Sequence, residues 1–164
     1  MRVIPFDASL GAEITGIDLA SDLDAGTSKK LNEYWAEHLV LCIRGQNLSP
    51  QDFIKAGRIF GDPFRQIYEQ FNHPDYPDIG LLTHKDSDIA GSGKRKIRGT
   101  SWHTDASYFE RPPAGTILFA LSVPNEGGDT EFLSMRAAYE ALSEEHKTKL
   151  CDLRSIHVYE SSRS

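Results

Sequence analysis

Residues 102–132 read WHTDASYFERPPAGTILFALSVPNEGGDTEF, and the expected fold is inferred first from their pattern. The residues of Trp102–Tyr108 and Thr116–Ser122 are typical of β-strands. The glycine pair within Asn125–Gly128 predicts a turn before the next apolar run. Several short strands close together are expected to form the β-rich part of the molecule.

Within the first predicted strand, His103 and Asp105 are two positions apart. Alternate residues of a strand point to the same face, so an imidazole and a carboxylate are expected side by side. Together they are two of the three ligands of a facial triad, which suits Fe(II) because three coordination sites stay open. Alone, the pattern also fits a polar strand edge in which a histidine and an aspartate share a hydrogen bond.

The rest of the chain alternates helical and strand patterns. Apolar spacing predicts a helix over Ser28–His38 and a short buried strand over Leu39–Ile43. Ser49 and Pro50 are typical of a helix start, and Gly61 is expected to end that helix. The other predicted elements are strands over Gly11–Leu19, Ile79–Leu82 and Leu153–Tyr159, and helices over Met135–Leu142 and Glu144–Cys151, capped by Ser134 and Ser143. The pattern indicates an α+β fold with a β-sandwich or barrel core.

Composition narrows the class of protein. The chain has 164 residues and 18.3 kDa, the size of one domain or of a piece of a larger one. Its net charge of −6 makes it a poor candidate for nucleic-acid or anionic-membrane binding. No apolar run approaches the roughly 20 residues of a membrane span. Two cysteines do not make a disulfide framework, so a cytoplasmic location is expected.

With these motifs in place, the sequence closely resembles the taurine dioxygenase/2,4-D dioxygenase (TauD/TfdA) family of Fe(II)- and 2-oxoglutarate-dependent oxygenases. The likeness runs in the same order along nearly the whole chain. Besides residues 102–132, it rests on Gly11-Ala-Glu-Ile-Thr-Gly-Ile-Asp-Leu19, Leu41-Cys-Ile-Arg-Gly-Gln46, Leu48-Ser-Pro50, Phe60-Gly61, Ala138-Tyr-Glu-Ala-Leu-Ser143 and Leu153-Arg154.

The resemblance implies a double-stranded β-helix (jelly-roll) core with flanking N-terminal helices, in a single domain over residues 1–164. It implies that His103 and Asp105 are catalytic iron ligands and that Thr130 binds the distal carboxylate of the co-substrate 2-oxoglutarate. The implied reaction uses O₂ to hydroxylate a small organic substrate and releases succinate and CO₂. Family members are commonly dimers or tetramers, so a homo-oligomer is expected.

Two residues of the family pattern lie downstream of the Gly-Gly-Asp-Thr segment and beyond residue 164: a distal histidine that completes the iron site and an arginine that pairs with 2-oxoglutarate. We therefore expect the chain to be the N-terminal portion of such an enzyme. The alternatives are a truncated jelly roll that binds a ligand without catalysis and a metal-dependent cupin of different chemistry. The other histidines are interpreted as packing or surface residues: His38, His73, His84, His146 and His157.

The expected substrate is small and anionic. Tyr68 matches a substrate-binding tyrosine of taurine-oxidising members with a small alignment shift, but Gly99 replaces their asparagine, so taurine itself is not expected. The basic loop within residues 85–98 carries four cations over residues 94–98, among them Arg98, which could attract an anion. A solvated flexible loop explains the same residues equally well.

Overall fold

A computed structural model of the chain describes residues 1–65, 69–83 and 101–158. The described residues form two compact units. The first contains Met1–Phe60 and Leu118–Ile156. The second contains the described residues of Gly61–Ile117 together with His157 and Val158. None of the described helices is both long and apolar enough to cross a bilayer.

A three-stranded mixed sheet begins the first unit. Strand β1 (Arg2–Pro5) pairs antiparallel with β2 (Ala12–Thr15), and β2 pairs parallel with β3 (Leu41–Ile43). In β2, Ala12 and Ile14 are fully buried while the residues after each are partly exposed, which is the alternation of a half-buried strand. The predicted strands within residues 11–19 and 39–43 are therefore confirmed, each shorter than expected.

Helix α1 (Ala25–His38) makes the crossover that parallel strands β2 and β3 require. Asp24 caps its start by accepting a 2.8 Å hydrogen bond from the Thr27 backbone N–H. Leu39 ends the helix in the left-handed region at φ 67°, and its N–H bonds the Trp35 carbonyl. The helix starts three residues before the predicted Ser28. The prediction used the spacing of apolar residues, and the cap Asp24 precedes all of these residues.

Helix α2 (Pro50–Arg58) begins where the sequence predicts. Ser49 and Asp52 form a reciprocal capping box, in which each side chain accepts a hydrogen bond from the other residue's backbone N–H. The α-helical part ends before the predicted Gly61, since Ile59 and Phe60 make tighter bonds to the carbonyls three residues earlier. The core of the first unit is built on Ile14, Leu19, Leu31 and Ala56.

Two short helices follow later in the first unit, α3 (Met135–Glu140) and α4 (Glu144–Leu150). Ser134 and Ser143 cap them, as predicted, by accepting hydrogen bonds from the backbone N–H three residues on. In the second unit, Glu69–Phe71 forms one turn of 3-10 helix.

The strands predicted from Trp102 onward are wrong for the described residues. No strand ladder of the described residues includes Trp102–Tyr108, Thr116–Ser122 or residues 153–158. The predicted strand Ile79–Leu82 contributes only an isolated bridge between Asn72 and Gly80. A strand is stable only when a neighbouring strand accepts its backbone hydrogen bonds and covers its apolar face. The described part of the chain offers these segments no such neighbour.

Candidate metal site

His103 and Asp105 lie together in the second unit. His103 Nε2 is 3.3 Å from Asp105 Oδ1, and both side chains are about half exposed. The predicted proximity of His103 and Asp105 is therefore confirmed, but the β-strand that was expected to produce it is absent from these described residues. The chain does not run on as a strand here; it turns after Asp105, where Ala106 adopts φ 50° and its carbonyl accepts from the Phe109 N–H at 3.1 Å.

A hydrogen bond at His103 Nδ1, the ring nitrogen that is not next to Asp105, determines which nitrogen carries the proton in the neutral ring. His103 Nδ1 lies 2.7 Å from the carbonyl oxygen of Ser101. A carbonyl only accepts, so Nδ1 carries the proton in this contact. In the neutral ring, Nε2 then carries the lone pair, and this atom lies 3.3 Å from Asp105 Oδ1. Metal-binding histidines are held in this way by a backbone acceptor on the other nitrogen.

The Asp105 carboxylate is also held on one side. The Thr116 hydroxyl donates a 2.6 Å hydrogen bond to Oδ2, eleven residues along the chain. Oδ1 is the oxygen that faces His103. Each ligand candidate thus has one polar atom hydrogen-bonded to the protein, and the remaining atoms, His103 Nε2 and Asp105 Oδ1, lie 3.3 Å apart.

This donor pair fits part of a site for a divalent metal. Two ligand atoms at bond lengths of about 2.0–2.2 Å and a right angle would lie roughly 3 Å apart, close to the separation of Nε2 and Oδ1. Imidazole and carboxylate are ligands that iron accepts. Residues 1–65, 69–83 and 101–158 contain no cluster of three His, Cys, Asp or Glu side chains that could hold a metal. The described residues therefore bring together two candidate ligands, His103 and Asp105.

Thr130 lies in the first unit and is solvent-exposed. It follows Gly127 and Gly128, which adopt the positive φ angles of 69° and 75° that glycine favours, directly after a bend at Asn125 and Glu126. A Cβ on Gly128 would come within 3.1 Å of the Pro124 ring, so glycine fits best at this position. The role of Thr130 in binding 2-oxoglutarate stays a prediction.

The other described histidines have local contacts. His73 Nδ1 accepts from the Asp75 N–H at 3.1 Å, His146 Nδ1 lies 2.8 Å from Ser143 Oγ, and His38 is largely buried beside Glu37. His157 Nδ1 lies 2.9 Å from the hydroxyl of Ser107. Sequence reasoning did not anticipate this last contact, or that of Thr116 with Asp105, because each joins residues outside any short motif.

The predicted substrate residues Tyr68 and Arg98 lie outside the described residues, as do His84 and the 85–98 loop. A cleft of about 340 Å³ is present in the second unit. Arg65 lines this cleft, and its positive charge is partly balanced by an ion pair between Arg65 Nε and Asp78 Oδ1 at 3.7 Å. The residues lining the cleft are Arg65, Glu69, Asn72, His73, Pro74 and Pro77.

Comparison with known proteins gives consistent matches. The sequence model of the taurine catabolism dioxygenase TauD, TfdA family matches residues 2–164. The chain is 34% identical over 152 residues to an alkylsulfatase of Acinetobacter baylyi, covering 92% of this chain and 45% of that protein. It is 33% identical over 163 residues to the (S)-phenoxypropionate/alpha-ketoglutarate-dioxygenase of Sphingobium herbicidovorans, covering 99% and 55%.

Among solved structures, a taurine dioxygenase from Burkholderia xenovorans aligns with a TM-score of 0.80 at 27% identity. The alignment covers 97% of this chain and 54% of that chain. The chain thus spans about half the length of the curated relatives that it matches.

Proposed function

Because the chain belongs to the TauD/TfdA family, we propose that it carries the metal-binding part of an Fe(II)- and 2-oxoglutarate-dependent dioxygenase. The proposed reaction hydroxylates a small, anionic organic substrate. One O₂ and one 2-oxoglutarate are consumed, one oxygen atom enters the substrate C–H bond, and the other enters succinate as CO₂ leaves. The observation that carries this proposal is the His103–Asp105 pair, whose Nε2 and Oδ1 atoms lie 3.3 Å apart.

In this proposal His103 and Asp105 hold the iron, and Thr130 binds the distal carboxylate of 2-oxoglutarate. Bound Fe(II) supplies the redox chemistry that activates O₂, with 2-oxoglutarate as the two-electron co-reductant. The Ser101 carbonyl keeps the Nδ1 proton on His103, which leaves the Nε2 lone pair free for the metal. A distal histidine and an arginine, which the family pattern places downstream of the Gly-Gly-Asp-Thr segment, would complete the site.

We also propose the jelly-roll core for the complete fold. The support is the family match and the likeness to the Burkholderia xenovorans enzyme over 97% of this chain. In that arrangement Thr116–Ser122 would gain the strand partner that it lacks among the described residues. Its sequence suits that role, because apolar residues recur along it.

An anionic substrate is supported by the relatives and by charge. One relative is named for alkyl sulfates and the other for phenoxypropionate, and both compounds carry an anionic group. The four cations over residues 94–98, including Arg98, directly precede the metal ligands in the sequence and could attract such a group. Tyr68 is the second proposed substrate contact.

The alternative is a jelly-roll protein that binds a ligand without turning it over. It is favoured by one observation, that the described residues contain no group of three side chains that could hold a metal ion. The two functions differ in one product: only the dioxygenase releases succinate in a reaction that requires O₂.

An anaerobic absorbance titration with Fe(II) and 2-oxoglutarate tests the proposal. We expect the weak visible band of iron-chelated 2-oxoglutarate in the complete wild-type protein, which supplies the distal histidine and arginine, and in His146→Ala, a histidine control outside the pair. The band should be lost in His103→Ala. No band in the wild type, or an unchanged band in His103→Ala, would contradict the proposal. Admitting O₂ with an alkyl sulfate or an aryloxy acid and measuring succinate then separates catalysis from binding.

A further inference from the structure

We propose that Thr116 is a positioning residue for the metal site, acting through the Asp105 carboxylate. This inference rests on the proposed function, because it assumes that Asp105 is a metal ligand. The Thr116 hydroxyl lies 2.6 Å from Asp105 Oδ2. An ionised carboxylate only accepts, so the hydroxyl is the donor in this short, charge-assisted hydrogen bond.

The hydrogen bond determines which carboxylate oxygen is available. The terminal torsion of an aspartate is broad, so a free carboxylate exchanges its two oxygens and can bind a metal through one or both. With Oδ2 bound to Thr116, Oδ1 is the oxygen presented 3.3 Å from His103 Nε2. Thr116 therefore favours coordination through Oδ1 and fixes its direction.

Threonine suits this task better than a flexible donor would. Its branched Cβ restricts the first side-chain torsion, so the hydroxyl is held in place before the metal arrives. The two ligands then have matching supports: the Ser101 carbonyl orients His103 at Nδ1, and the Thr116 hydroxyl orients Asp105 at Oδ2. Removal of such outer hydrogen bonds typically weakens metal affinity about 10–100-fold.

The test is Co(II) binding in the presence of 2-oxoglutarate, followed by absorbance, with the complete protein that supplies the distal histidine and arginine of the proposed site. Thr116→Val keeps the shape and removes the hydroxyl, and we expect it to weaken Co(II) binding about 10–100-fold. Thr116→Ser restores the donor and should retain most of the affinity. Thr148→Val is the matched control, because it removes a 2.8 Å hydroxyl hydrogen bond on the exposed helix α4. It should bind Co(II) as the wild type does.

The possible outcomes separate this inference from the function on which it rests. If Asp105→Ala loses Co(II) binding while Thr116→Val binds as tightly as the wild type, Thr116 has no positioning role and Asp105 remains a ligand. If Thr116→Ser is as weak as Thr116→Val, the hydroxyl is not the cause and the inference also fails. If the wild type and Asp105→Ala bind Co(II) alike, or neither binds it, the proposed function fails and the inference fails with it.

Discussion

Ala106 adopts a left-handed backbone conformation directly after the ligand candidate Asp105. For an alanine this conformation costs about 1–2 kcal/mol, because Cβ crowds the following carbonyl oxygen. Glycine has no Cβ and adopts positive φ freely, although it loses more entropy on folding. We therefore expect Ala106→Gly to stabilise the protein by about 0.5–1 kcal/mol, measured by urea unfolding.

Ala114→Gly is the control for this prediction. Ala114 is exposed in the same unit and does not have a positive φ, so the glycine there should only add freedom to the unfolded chain. We expect it to destabilise the protein by about 0.4–1 kcal/mol. If the two substitutions change the free energy of unfolding in the same direction, the turn at Ala106 is not under strain.

At the scale of single residues, the sequence predicts only part of the candidate site. The spacing of His103 and Asp105 was enough to predict that they lie together, since residues two apart stay close in a strand and in a turn alike. The contact between Thr116 and Asp105 depends on how eleven intervening residues fold. No short motif encodes that path, so the positioning hydroxyl could be found only in the structure.

Among the helices, α1 is fixed to the core chiefly through Leu31. This side chain is fully buried and belongs to the cluster with Ile14, Leu19 and Ala56. Leu31→Ala removes buried apolar contacts and leaves a cavity, so we expect a loss of about 2–5 kcal/mol in the free energy of unfolding. The neighbouring exposed Lys30→Ala should change it by less than about 0.5 kcal/mol, and comparable losses for both would contradict the assignment of Leu31 to the core.

Helix α2 should make stability depend on pH through Asp52. A hydrogen bond from the Ser49 hydroxyl, followed by one from its backbone N–H, holds the pKa of Asp52 below its usual value. A lowered folded-state pKa stabilises the protein above the unfolded-state pKa, and this contribution is lost as pH falls through the lowered value. Asp52→Asn should therefore lower Tm at about pH 6 and have little effect at about pH 2.

Thermal unfolding of the wild type, Asp52→Asn and Asp7→Asn at both pH values checks this expectation. Asp7 is exposed and lies outside the helix caps, so its substitution should leave Tm nearly unchanged at either pH. A loss of Tm in Asp52→Asn that is as large at acidic pH as at neutral pH would show that the capping carboxylate is not responsible.

At the scale of elements, the starts of α2, α3 and α4 were predictable, while the start of α1 and the later strands were not. Ser49, Ser134 and Ser143 each cap a helix by a contact to a residue three positions away, so the signal is local. A strand such as the one predicted at Thr116–Ser122 needs a partner that its own sequence does not specify. Among the described residues no partner is present, and the pattern alone was therefore insufficient.

For the whole molecule, the exposed apolar side chains of the first unit are the most informative feature. Leu121 and Val123 are 80% and 71% exposed, and Leu153 and Ile156 are 68% and 88% exposed. Single exposed apolar residues are ordinary, but this many in two short segments is not. The same segments have the sequence of strands and lack ladder partners in the described part of the chain.

We therefore expect the purified 164-residue chain to bind the dye ANS and to self-associate as its concentration rises. Replacing Leu121 and Val123 together by serine removes two of the most exposed apolar side chains and should lower both signals. The control is Ser122→Ala with Asn125→Ala, which alters the same segment without removing an apolar group. Dye fluorescence and sedimentation velocity measure the two effects. A wild-type chain that stays monomeric and does not raise ANS fluorescence would contradict this expectation. It would show that these side chains are covered in solution.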